Sequence, residues 1–101
     1  MTRVEALHPN PDKATTRIDA VLYEDVRAAI LSAIASRQAV SFGELAGLVE
    51  AGSPSTHWGK ASVGWYTTTV KLDLEARGLI ERHGDPQMLT LTELGERVTN
   101  R

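Results

Sequence analysis

GWYTTTVKLDLEARGLIER, residues 64–82, decides what the rest of the chain can be. At about 100° per residue, Val63, Tyr66, Val70 and Leu74 fall on one side of a helix spanning roughly residues 61–77. Trp65, Leu72 and Ala76 fall on the opposite side. Between them run two polar strips, one with Gly64, Thr68, Lys71 and Glu75, the other with Thr69, Asp73 and Arg77. A helix apolar on two sides is packed from two directions, so only a narrow face is left for solvent or a ligand. Gly78 supplies the left-handed residue that commonly ends a helix, and residues 79–83 then read as a strand.

Downstream, Gly84-Asp85-Pro86 is turn chemistry, and Met88-Leu89-Thr90-Leu91-Thr92 alternates as the returning strand of a hairpin. Thr92 can cap a last helix, ELGERVTNR, with Leu94 and Val98 inward and Gly95 weakening it in isolation. Upstream, Asp19 can cap a helix through Ser36, in which Leu22, Val26, Ala29, Ile30, Ala33 and Ile34 form one broad apolar stripe. Ser41-Phe42-Gly43-Glu44 is a capping box opening a second helix over about residues 42–51, with Phe42, Leu45 and Val49 on one face. Residues 52–62 have the glycine, serine and proline density of a loop. Residues 1–18, interrupted by Pro9 and Pro11 and without a periodic pattern, are expected as an extended arm before a domain over residues 19–101.

Three helices followed by a two-stranded hairpin and a short helix give a mainly α chain in the order of a winged helix-turn-helix. The run TVKLDLEARGLIERHGD with MLTLTELGERV resembles the third helix, wing and closing helix of bacterial winged-helix proteins, with Leu74, Gly78, Leu79 and Ile80 at the anchoring places. More closely, TTRIDAVLYEDVRAAIL and GWYTTTVKLDLEARGLIER resemble a family of small bacterial winged-helix proteins of similar length, over about residues 9–92. That family has no established activity, and one fold hosts unrelated functions.

The resemblance implies a transcriptional regulator whose recognition helix enters the major groove of double-stranded DNA and whose wing touches its backbone or minor groove. Thr67, Thr68 and Lys71 are then the contacts on the helix, with Lys60 before it and Arg82 and His83 on the wing. Hydroxyls and cations of this kind meet phosphates and base edges. The charge count opposes that reading. Between His57 and His83, Lys60, Lys71, Arg77 and Arg82 face Asp73, Glu75 and Glu81, a surplus of one, in a chain of formal net charge -2. Glu75 lies one turn beyond Lys71 and pairs with it on a helix. The alternative is a module that binds protein without DNA. Under either reading a homodimer is expected, with Trp58, in a polar loop, Leu31, on the outer side of the first helix, and Leu72 as candidate interface residues.

Catalysis has little support. The chain has no cysteine, and His8, His57 and His83 lack the spacing of helix-borne metal ligands. Asp73 and Glu75 point about 200° apart on a helix and cannot work as an acid–base pair. No cofactor or metal is expected. With 42% hydrophobic and 24% charged residues, no membrane-length apolar run and no secretory h-region, cytoplasmic residence is the expectation.

Overall fold

The first helix is the element around which the others pack. In the computed structural model, which describes residues 3–10, 12–52, 62–84 and 87–99, the chain runs β1 (Arg3–Ala6), β2 (Thr16–Asp19), α1 (Ala20–Arg37), β3 (Val40–Ser41), α2 (Phe42–Gly52), α3 (Val63–Ala76), β4 (Ile80–His83), β5 (Met88–Leu91) and α4 (Glu93–Thr99). This is a small α+β architecture of four helices and two antiparallel sheets. Asp19 caps α1, its Oδ1 accepting from the amides of Val21 and Leu22 at 2.9 and 3.1 Å. Because α2, α3, α4, β2 and β5 all contact α1, its buried arc extends beyond the apolar stripe to Tyr23 and Leu31. Leu31, expected on the outer side as an interface residue, therefore belongs to the core, at 3% exposure.

Local signals in the sequence act as expected at most helix ends. Ser41 and Glu44 close the capping box reciprocally, each amide-to-side-chain bond being 3.3 Å. The end of α3 is a Schellman motif: Gly78 has φ +74°, its N–H reaches Glu75 O at 3.1 Å, and Leu79 N–H reaches Leu74 O at 2.9 Å. β4 and β5 form the expected hairpin, with Ile80 opposite Leu91 and His83 opposite Met88. Two further pairings depend on distant residues. β3 adds to β5, Val40 lying opposite Leu89, which gives the strand order β3-β5-β4. Within the stretch expected as an extended arm, residues 1–18, β1 pairs with β2 as an antiparallel hairpin, and Ala6 and Ile18 are buried in the common core.

A buried carboxylate joins that hairpin to the helices. Asp73, fully buried on α3, accepts the Leu7 amide at 2.8 Å, the Tyr23 hydroxyl from α1, and Arg77 Nε at 3.0 Å. Arg77 Nη2 continues to the carbonyl of Glu5 at 3.2 Å. The backbone groups at Glu5 in β1 and at Leu7 just after it are thus satisfied by an acid and a base one turn apart on α3. Burial, then the hydrogen bond and charge of Asp73, push the Tyr23 phenol up to about 12.

The N-terminus of α4 is seated on the turn that ends α3. Thr92 Oγ1 donates to Gly78 O at 2.5 Å and accepts from the Gly95 amide at 3.0 Å. Gly95 is buried, and only glycine fits there, because a Cβ would lie 2.0 Å from Leu79 O. Leu94, expected inward, is 48% exposed, whereas Val98 packs on the core. The close approach at Gly95 sets which side of this short helix faces inward.

Two stability tests follow from these contacts. Gly95→Ala is expected to destabilise by about 1–3 kcal/mol despite the better helix propensity of alanine. Gly47→Ala in α2, where an added Cβ meets nothing within 4 Å, is expected to stabilise by about 0.5–1 kcal/mol; urea titrations of both variants check the contrast. Tyr23 has a raised folded pKa, so its contribution is complete below about pH 10 and is lost as pH rises through about 12. Over that window the natural chain should lose on the order of 2–3 kcal/mol more than Tyr23→Phe, measured by denaturant titration at a series of pH values. An equal loss in both proteins would remove Tyr23 as the cause.

Candidate functional site

Ser62 caps the start of α3, its Oγ accepting from Trp65 N–H at 3.2 Å, and packing against α1 and α2 leaves one strip of the helix outward. Thr67, Val70, Lys71, Asp73 and Leu74 are buried under α1, α2 and the neighbouring strands. The outward strip carries Gly64, Trp65 and Thr68, all exposed, with Thr69 and Leu72 half-buried beside them. That strip holds no cation.

Lys71, expected as the one cation offered by the helix, is 3% exposed. Its Nζ lies 3.0 Å from Glu75 Oε2 and 4.9 Å from the centre of the Phe42 ring. The expected pairing with Glu75 is present, but packed inside rather than solvated. The ammonium is paired with the carboxylate and attracted to the face of the Phe42 ring, which α2 supplies. Thr67, at 1% exposure, is likewise turned away from any ligand. Of the other residues expected to meet DNA, Thr68 is exposed on α3 and Arg82 is exposed on β4, with its Nε 3.5 Å from Glu75 Oε1. His83 Nε2 sits 3.0 Å from Thr90 Oγ1 and 3.7 Å from Glu81 Oε2. Lys60 and the interface candidate Trp58 lie outside the described residues. The candidate set is therefore split between the core and the surface.

What the fold does bring together is a different group. A groove of about 370 Å³ lies between the β1–β2 hairpin and the start of α3, lined by Arg3, Arg17, Ile18, Asp19, Leu22, Trp65 and Tyr66. Trp65 is 48% exposed and stands edge-on to Tyr66, with centroids 5.1 Å apart at 81°. In the hairpin register Arg3 lies opposite Asp19, and Arg17 opposite Glu5, so all four share the face turned from the core residues Ala6 and Ile18. Among the described residues neither arginine side chain makes a hydrogen bond or ion pair. Asp19 uses its Oδ1 to cap α1. The groove therefore combines an exposed indole, an apolar floor and two guanidinium groups that have no side-chain partner among the described residues.

Sequence reasoning missed this group because Arg3 and Arg17 belong to a segment without internal periodicity. The alternation in Val4, Ala6 and Ile18 was the available signal, but it is split across two short strands. Among the described residues no three His, Asp or Glu side chains are grouped to hold a metal ion. No described helix is long and apolar enough to cross a membrane.

No match to the chain was found among curated proteins or among solved structures. Residues 3–100 match a family described as a family of unknown function, DUF6958, and the chain belongs to that family.

Proposed function

We propose that the chain is a winged-helix interaction module that engages a protein partner through the outward strip of α3, without binding duplex DNA. The winged-helix reading is supported by the order α1, β3, α2, α3, β4, β5 and by the strand order β3-β5-β4, in which the hairpin after α3 pairs with a short strand before α2. The observation that carries the functional reading is the inventory of that strip: an indole exposed over about half its surface, threonines and Leu72, and no Lys or Arg. Counterion release on a duplex requires accessible cations. Lys71 is instead buried against Glu75, and Glu75 also stands beside Arg82. Exposed aromatic residues are enriched where one protein meets another.

Duplex DNA is the second reading, favoured by the element order and by the exposed Thr68 and Arg82 on adjoining elements. A gel shift with random-sequence duplex at about 50 mM salt, where non-specific electrostatic binding is strongest, separates the two. The expected result is no shift. A shift weakened by Arg82→Ala or Thr68→Ala would overturn the proposal in favour of DNA. Lys71→Ala serves as a structural control: it leaves Glu75 buried beside Arg82 alone and should lower stability by about 1–3 kcal/mol, read by thermal or urea unfolding.

A further inference from the structure

Trp65, Arg3 and Arg17 reach one groove from three elements, α3, β1 and β2, and the chemistry of that groove specifies a ligand more closely than the strip alone. Its floor is apolar, since Ile18 and Leu22 are 3% and 7% exposed, and the half-exposed indole of Trp65 forms one wall. Its rim carries the two guanidinium groups, exposed and without side-chain partners among the described residues. Arginine presents donors in a planar fork matched to a carboxylate and is enriched with tryptophan at the energetic centres of protein interfaces. The carboxylates nearest to the arginines differ in what they offer a ligand: Asp19 is held by the first amides of α1, and Glu5 lies opposite Arg17 without an ion pair to it.

We propose that this groove binds an acidic peptide segment of a partner protein, with one apolar side chain seated against Trp65 and flanking Asp or Glu carboxylates on Arg3 and Arg17. The inference rests on the interaction-module reading and gives that module the chemistry of its ligand. Charge complementarity selects this occupant. Among the charged residues that line the groove, Arg3 and Arg17 outnumber Asp19, whose Oδ1 is held by the first amides of α1, in a chain of formal net charge -2. A nucleic-acid strand would need cations along its whole path, and here the acids Glu5 and Asp19 share the hairpin face with the arginines. The hairpin is tied to α3 through Asp73 and Arg77, which keeps the two walls of the groove in fixed relation.

The test is fluorescence anisotropy with the full chain and labelled synthetic peptides of three kinds: a Leu or Phe flanked by Asp and Glu, the same apolar residue flanked by Ser, and the same flanked by Lys. Single-stranded and duplex DNA are run alongside. The acidic peptide is expected to bind most tightly and to weaken with added salt. Trp65→Ala should weaken it about tenfold or more, as for a central aromatic contact, and Arg3→Gln or Arg17→Gln by several-fold each. Circular dichroism checks that these exposed substitutions leave the fold intact. Equal binding of serine- and aspartate-flanked peptides, unaffected by either arginine substitution, would overturn the acidic-ligand inference while leaving the interaction module standing. DNA binding that depends on Arg3 and Arg17 would overturn both. Binding of no peptide, or self-association by sedimentation that is abolished by Trp65→Ala, would also overturn the inference, the latter by identifying a second copy as the occupant.

Discussion

The carboxylate of Asp73 is the point on which the arrangement of this chain depends. It is fully buried and sits where α3, α1 and β1 converge, accepting from Arg77, the Tyr23 hydroxyl and the Leu7 amide. A buried charge without partners costs several kcal/mol, so each donor is required as well as favourable. The consequence reaches beyond α3. By binding Leu7 directly and Glu5 through Arg77, the pair fixes the outer edge of β1 on the helix. A two-stranded hairpin is marginal alone; here Ala6 and Ile18 also bury its inner face in the common core.

The same helix decides how the charges of the chain are used. Packing α3 against α1, α2 and the strands turns Lys71 inward, where Glu75 and the Phe42 ring hold it, and turns Asp73 inward on another side. Two of the polar residues on a helix read as two-sided are therefore structural. The strip left facing outward is neutral and aromatic. Among the described residues, positive charge near the start of α3 comes from the hairpin, in Arg3 and Arg17, which the Asp73 network ties to the helix.

Much of the local architecture was legible because it depends on residues close in sequence. The Asp19 cap, the Ser41–Glu44 box, the Gly78 stop and the Thr92 cap each act within one turn, through bonds that the residue types themselves imply. Gly95 shows where such reasoning ends. Read locally it is a weak helix residue, but its role is to let α4 approach the Leu79 carbonyl. Leu94 is exposed because that approach fixes the rotation of a helix too short to carry a full apolar stripe.

By itself, the sequence determined the helices, their ends, the β4–β5 hairpin and most of the core, since hydrophobic period and capping chemistry are local properties. The tertiary structure alone decided that β1 and β2 pair as a second hairpin, that Leu31 lies inside, that Lys71 is buried and that Trp65 is joined by two arginines. In each of those cases the deciding partner lies far along the chain. Helical periodicity specifies which side chains share a face, but the elements that cover that face are set by contacts such as Leu7 with Asp73, whose free energy comes from desolvated groups meeting across the fold.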